Sequence, residues 1–188
     1  MPRPPVDPLH PRDIAALVAE LERFDALMRS SGSATATLAE WMRARTGRAQ
    51  VDVVAHVRAD QAADLPAGLA QRLKLSEAES IAYRRVWLSC EGRVLSDAEN
   101  WFVPERLTSA MRQQLAAEKI PFGNVIRSFT PVRRTLSSRK LWSPSDAQAA
   151  ACSRLPTTLL HHHAIVSDRL GQPICEVSEI YTRNILRL

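Results

Sequence analysis

Two pairs of strand-like segments, each joined by a tight turn, constrain the fold of this chain more than any other feature. The segments are residues 80–90 with 93–103, and residues 157–168 with 172–183. The turns between them are Glu91-Gly92 and Arg169-Leu170-Gly171. Connections this short join antiparallel neighbours, because a parallel pair needs a long crossover. The sequence therefore predicts two hairpins of an antiparallel sheet.

Helical periodicity precedes these hairpins. A helix is predicted to begin near Pro11, with one apolar face formed by Ile14, Leu17, Val18, Leu21, Phe24 and Leu27. Residues 30–33 end this helix, and Ser33 or Thr35 can cap a second helix that stops near Gly47. That second helix carries Leu38, Trp41 and Met42. A third helix is predicted over residues 105–118, after Pro104.

The remaining segments give weaker signals. Valine-rich residues 50–59 suggest a strand, residues 60–73 a connection with a helical turn, and residues 120–123 a loop. Residues 124–142 are expected to be mostly extended, and residues 143–153 to form a short helix or a loop. The order of elements predicts one α+β domain, with an antiparallel sheet of about five or six strands and helices packed on one face.

The domain boundary is predicted from proline. Five of the twelve prolines lie in the first eleven residues, so residues 1–11 are expected to be an extended tail and residues 12–188 the domain. That segment has no apolar core of a secretory signal, and no run approaches the ~18 apolar residues of a membrane span. The expected compartment is the cytoplasm, with no membrane partner. Whether the protein is a monomer or a dimer stays open.

Charge, cysteine content and the absence of familiar motifs limit the kinds of function this sequence predicts. The net charge of +5 is carried mainly by scattered arginines, which is typical of a solvated surface and does not favour a nucleic-acid partner. The cysteines, Cys90, Cys152 and Cys175, are far apart and form no CxxC motif, so three reduced thiols are expected. The sequence has no GxSxG, GxxxxGK[ST], GxGxxG or HExxH motif. It predicts no cofactor and no metal.

A histidine triplet is the most conspicuous local feature. In a strand, His161 and His163 share one face and His162 lies on the other. Two imidazoles with this spacing could hold part of a metal, but further ligands are not evident in the sequence. The three are therefore expected to be half-exposed strand residues.

The same alternation singles out two charged residues. Ala82, Arg84, Val86, Leu88 and Cys90 share one strand face, which is apolar except for Arg84. Glu179 interrupts a similar face formed by Cys175, Val177 and Tyr181 on the last strand. A buried charge needs a partner. Three interpretations are open: the two residues pair with each other, the two strand faces are assigned the wrong way round, or the two line a pocket. In such a pocket the arginine would bind a carboxylate and the glutamate a hydroxyl.

These residues and their surroundings resemble the chorismate pyruvate-lyase family, the enzymes that make 4-hydroxybenzoate. The resemblance rests on YRRVWLSCEGRVLSDAENWFVPERL, KIPFGNVIRSFTPVRR, GQPICEVSEIYT and Ser33-Ala34-Thr35, in the family's order across about residues 30–183. It implies a chorismate lyase-like fold, related to the ligand-sensing domains of GntR-type repressors. It also implies a cofactor-free elimination of pyruvate from chorismate, with a product associated with ubiquinone biosynthesis.

The resemblance also implies roles for four residues. Arg84 matches the arginine that holds a substrate carboxylate, and Glu179 matches the glutamate that contacts the ring hydroxyl. Phe122 matches a loop residue, usually leucine, whose backbone N–H meets the ligand. Ala34 takes the place of a larger apolar residue that closes over the pocket. Arg84 and Glu179 are thus the expected catalytic residues.

A second carboxylate contact is less defined. Glu99 falls where some relatives have an arginine, and the histidine triplet falls where relatives tend to be basic. Arg133 and Arg134 are possible substitutes. The alternative to an enzyme is a binding or sensing domain of the same fold for a small aromatic carboxylic acid.

Overall fold

The computed structural model of the chain describes residues 11–58, 65–117, 119–144 and 155–186. The helices in these ranges are α1 (Pro11–Ser30), α2 (Ala34–Thr46), α3 (Leu69–Arg72), α4 (Ser109–Ala116) and α5 (Phe122–Val125). The strands are β1 (Val54–Val57), β2 (Ala82–Cys90), β3 (Arg93–Phe102), β4 (Val132–Lys140), β5 (Thr158–Ser167) and β6 (Pro173–Thr182). The predicted tail lies outside the described residues, except for Pro11, where α1 begins.

The strands form one antiparallel sheet in the order β1-β2-β3-β6-β5-β4. Both predicted hairpins are confirmed, since β2 pairs with β3 and β5 pairs with β6. The two hairpins meet where β3 pairs with β6, and β6 therefore lies near the middle of the sheet. The predicted α+β class and strand number are confirmed.

Most of the helices cover one face of the sheet, which we call the inner face. Two rows of paired residues cross it: Arg84, Asn100, Val177, Ala164 and Thr135 in one row, and Val86, Ala98, Glu179, His162 and Ser138 in the next. Helices α1 and α2 pack over one part of this face, where Phe24 meets Tyr181 with ring centroids 5.1 Å apart. Helices α4 and α5 pack over the part that contains Cys175 and Val177.

Helix α3 packs on the opposite, outer face. Its Leu69, with Leu73 just after it, packs with Trp101 and Val103 in a separate apolar cluster. Elsewhere this face carries polar side chains joined in pairs, such as Arg85 with Asp97. The core therefore lies on the inner face, where a ligand cavity can be enclosed.

The predicted boundaries of α2 are confirmed by its caps. The Ser33 side chain accepts a hydrogen bond from the Ala36 N–H at 3.3 Å, which satisfies one free donor of the first turn. Gly47 ends the helix with φ of 67°, a conformation that favours glycine. In α1, Leu27 was expected in the core but is 44% exposed. The next residue, Met28, is buried instead, because one residue turns the helix by about 100°.

Other predicted elements differ in extent. The strand expected over residues 50–59 pairs only over Val54–Val57. The helix expected over residues 105–118 is divided into a 3₁₀ turn, Pro104–Arg106, and α4, because the Thr108 hydroxyl accepts from the Met111 N–H and starts a new helix. The segment expected to be extended from residue 124 contains helical turns until the strand begins at Val132, directly after Pro131.

Further predictions concerned the cysteines, the segment 143–153 and membrane-spanning segments. Cys90 and Cys175 are buried free thiols, as predicted, whereas Cys152 lies outside the described residues. Most of the segment 143–153 lies outside them as well. Among the helices of the described ranges, none has the length and apolar character that crossing a membrane requires.

Candidate active site

A small cavity lies between the inner face of the sheet, the start of α2 and α5. Its apolar wall is formed by Val86, Leu88, Ala98, Ile126, Val166 and Val177. Three polar side chains of the sheet interrupt this wall: Asn100, Arg133 and Glu179. The space open to the centres of water-sized molecules is about 50 Å³, several times the roughly 10–15 Å³ that one water needs. The arrangement is apolar with a few convergent polar groups, as in many ligand sites.

An ion pair between Arg133 and Glu179 dominates the electrostatics of the cavity. Arg133 Nη2 donates to Glu179 Oε2 at 2.7 Å, and the side chains are only 1% and 6% exposed. Arg133 Nη1 also donates to the Met28 carbonyl of α1 at 3.1 Å and to Thr135 Oγ1 at 3.0 Å. Burial lowers the pKa of Arg133, but the attraction of Glu179 and Tyr181 and the hydrogen bond to Glu179 together outweigh burial, so the pKa is raised.

Arg84 is buried on the inner face, as the alternation predicted, but it is not among the residues that line the cavity. Its Nη2 donates to the Ile120 carbonyl at 3.1 Å, just before the Pro121–Phe122 turn. The neighbouring inward residue on β3 is Asn100, which does line the cavity. The alternative that Arg84 provides the ion-pair partner of Glu179 is corrected, because Arg133 occupies that position.

Ala34 and Phe122 both line the cavity, at the start of α2 and of α5. Phe122 was expected in a loop, but it begins a helical turn and packs its ring against Phe102, with centroids 5.4 Å apart. The two helix starts approach closely at Gly123. A Cβ atom on Gly123 would lie 2.9 Å from Thr35 Oγ1, so only glycine fits without a shift.

The other candidates for a second carboxylate contact lie elsewhere. Glu99 points to the outer face and accepts a hydrogen bond from the Tyr83 hydroxyl at 2.8 Å. Arg134 is exposed. His161 contacts Ser178, and His163 contacts Glu176, both on the outer face. The structure thus brings Arg133 alone of these candidates to the cavity wall.

The histidine triplet divides between the two faces as predicted. His161 and His163 are half-buried, whereas the expectation of a half-exposed side chain is wrong for His162, which is fully buried. His162 Nε2 lies 2.7 Å from Asp25 Oδ1 of α1. Burial lowers the pKa of His162 even though the hydrogen bond with Asp25 raises it. In the described ranges, no group of three metal-binding side chains is present.

Sequence reasoning missed Asn100 and the pair of Asp25 with His162. A signal existed in each case. Asn100 alternates with Ala98 and Phe102 on the return strand, and Asp25 lies within the apolar stripe of α1, beside Phe24. A polar residue in an apolar row predicts a buried polar contact.

Comparison with known families places this chain in one of them. A family model described as chorismate pyruvate-lyase Rv2949c-like matches residues 28–186. The chain belongs to the Rv2949c-like chorismate pyruvate-lyase family. A curated relative is the uncharacterized protein y4mC of Sinorhizobium fredii, which is 38% identical over 183 residues, covering 90% of this chain and 76% of that protein. The family resemblance predicted from the sequence is thereby confirmed.

Solved structures share the fold. The effector domain of PhnF from Mycobacterium smegmatis matches with a TM-score of 0.51 and 14% identity, over 78% of this chain and 90% of that domain. PhnF itself matches with a TM-score of 0.52 and 14% identity, over 95% of this chain and 88% of that chain. At this identity the similarity shows the fold alone, and it agrees with the predicted fold.

Proposed function

We propose that the protein converts chorismate to 4-hydroxybenzoate and pyruvate. The observation that carries this proposal is the buried ion pair of Arg133 and Glu179 in the wall of a mostly apolar cavity. The membership of the family supports the substrate class. A small ring with acidic substituents and a hydroxyl suits a site that combines apolar walls, a guanidinium and a carboxylate.

The ion pair allows an exchange of partners when substrate binds. Chorismate carries a ring carboxylate, an enolpyruvyl ether with its own carboxylate, and a ring hydroxyl. In the proposed complex the enolpyruvyl carboxylate replaces Glu179 on Arg133, so the guanidinium keeps an anionic partner. Glu179 then accepts a hydrogen bond from the ring hydroxyl. Neither buried charge is left without a partner.

The other predicted residues have proposed roles around this exchange. Arg84 supplies positive charge behind the cavity wall for the ring carboxylate. The backbone N–H of Phe122 meets the ligand, and Ala34 closes the cavity from the start of α2. The small side chain of Ala34 leaves this contact weaker than a larger apolar residue would make it.

The proposed reaction needs little from the protein beyond positioning. The bond between the ring and the enolpyruvyl oxygen breaks, the electron pair leaves with that oxygen, and the carbon that bears the hydroxyl loses a proton. The departing enolpyruvate takes up one proton on its methylene carbon and becomes pyruvate, so the step balances. The ring becomes aromatic, which drives the reaction. Orientation of the substrate and preorganised charge lower the barrier in such a site.

The test is turnover by the purified full chain. We expect 4-hydroxybenzoate and pyruvate to form in equal amounts from chorismate, the first measured by chromatography and the second by a coupled dehydrogenase assay. A reaction without protein gives the spontaneous rate. Product formation no faster than this control, with protein whose circular dichroism shows it is folded, would contradict the proposal.

A second candidate function is binding of an aromatic acid without turnover. The fold favours this candidate, because the same architecture occurs in the effector domain of PhnF. The cavity groups recognise an aromatic acid whether or not it reacts. Calorimetric binding of 4-hydroxybenzoate together with no conversion of chorismate would select this function.

A further inference from the structure

Asn100 is a buried polar residue that the ion pair leaves unexplained. It is 5% exposed and lines the cavity. Its Nδ2 donates to the Arg84 carbonyl at 3.4 Å, which is long for a hydrogen bond. A carboxamide has two N–H donors and an acceptor oxygen. This single weak contact therefore leaves a donor available to a ligand in the cavity.

The register of the sheet places Asn100 between two groups of the proposed site. On β3 it lies directly beside Arg84 of β2 and Val177 of β6. Glu179 is two residues beyond Val177, so Asn100 and Glu179 are diagonal neighbours, with Cα atoms about 7–8 Å apart. A benzene ring with substituents in para positions spans a comparable distance. A ligand whose hydroxyl contacts Glu179 therefore extends its opposite substituent over Asn100.

We propose that Asn100 donates a hydrogen bond to the ring carboxylate of the ligand and so selects aromatic acids over their neutral analogues. The inference rests on the proposed function, because it takes the hydroxyl to lie at Glu179. Arg84, the neighbour of Asn100 on β2, adds positive charge without lining the cavity. Selection of the carboxylate then depends on a neutral donor at the wall with a buried guanidinium beside it.

The test compares two ligands that differ only at this substituent. Dissociation constants for 4-hydroxybenzoate and 4-hydroxybenzamide are measured by calorimetry for the wild type, Asn100→Leu and Asn100→Asp. We expect Asn100→Leu to weaken binding of the acid about 10- to 100-fold, the range for one hydrogen bond to a charged group. The amide should lose less, about 2- to 10-fold, because its carbonyl accepts only a neutral hydrogen bond. Asn100→Asp is nearly isosteric and is expected to reject the acid more strongly than the amide.

The control is Asn124→Leu, the same change at an exposed asparagine of α5 outside the cavity wall. It is expected to keep wild-type affinity for both ligands. Circular dichroism checks the fold of each variant, and Asn100→Asp carries the test if Asn100→Leu does not fold. Equal losses for acid and amide, or wild-type affinity of the Asn100 variants for the acid, would overturn the inference.

Chorismate turnover measured in parallel separates the two proposals. If the wild type turns over chorismate but the acid-to-amide ratio is unchanged in the Asn100 variants, the inference fails and the proposed function stands. If the ratio changes but chorismate is not converted, the inference stands and the proposed reaction fails. A wild type that binds neither ligand also overturns the inference.

Discussion

Two glutamates of β6 have similar partners but opposite surroundings. Glu176 is on the outer face, where Arg72 binds both of its carboxylate oxygens at 2.6 and 2.7 Å and His163 lies 2.6 Å from one of them. Glu179 is on the inner face, where Arg133 makes one hydrogen bond to it beside the cavity. Both carboxylates are almost fully buried.

The difference lies in what surrounds each pair. The two hydrogen bonds from Arg72 join α3 to the sheet. Both oxygens of the Glu176 carboxylate are thus held by protein side chains. The pair of Arg133 and Glu179 faces space that a ligand can enter. A buried ion pair is therefore no sign of function by itself. Its position beside a cavity makes an exchange of partners possible.

The largest expected effect comes from removing the guanidinium of Arg133. Arg133→Ala leaves the carboxylate of Glu179 buried without its cation and removes the proposed carboxylate site. We expect kcat/KM for chorismate to fall about 10³-fold. The matched control, Arg134→Ala, removes an exposed arginine from the same strand and should keep kcat/KM near the wild-type value. Comparable losses in both variants would remove Arg133 from the site.

The two glutamates can be compared by one substitution. Glu179→Gln is expected to lower kcat about 10²-fold, since the carboxylate that holds the ring hydroxyl is lost. Glu176→Gln should leave kcat unchanged and lower the free energy of unfolding by about 2 kcal/mol, because hydrogen bonds between the carboxylate and a partly exposed arginine are lost. Steady-state kinetics and urea denaturation measure the two effects. If Glu179→Gln lost stability but kept full activity, we would conclude that both ion pairs have only a structural role.

A smaller effect is expected from the arginine behind the wall. Arg84→Ala should raise KM for chorismate about 30-fold, the low end of the cost of losing one charged contact. The fold should survive, which circular dichroism checks. Unchanged Michaelis parameters would show that Arg133 and the other wall residues bind both carboxylates without Arg84.

The smallest expected effect is a pH dependence of stability that arises from the pair of Glu176 and Arg72 on the outer face. Burial raises the pKa of Glu176, but the hydrogen bonds from Arg72 and His163 and the attraction of their charges together lower it more, so the pKa is below the usual 4.5. In acid the unfolded chain therefore binds the proton first, and the stability from this pair is lost as the pH falls from about 5 through the folded-state pKa. The free energy of unfolding, measured by urea denaturation in this pH range, should depend less steeply on pH in Glu176→Gln than in the wild type. Equal slopes would contradict this assignment.

The sequence predicted much of the framework because its signals are local. Alternation placed Arg84 and Glu179 on the buried face, and glycine-containing turns marked both hairpins. Ser33 and Gly47 marked the ends of α2. The helical turn at Phe122 was missed, since four residues are too few for a helical period to be recognised.

The sequence by itself determined which residues form strands and which side chains share a face, because a strand alternates with a period of two. Beyond the two hairpins, it did not determine which strands are neighbours. Only the tertiary structure put β6 between β3 and β5, and only the reach of Arg133 from β4 across that sheet made it the partner of Glu179. Contacts between distant segments depend on packing, which no local pattern encodes.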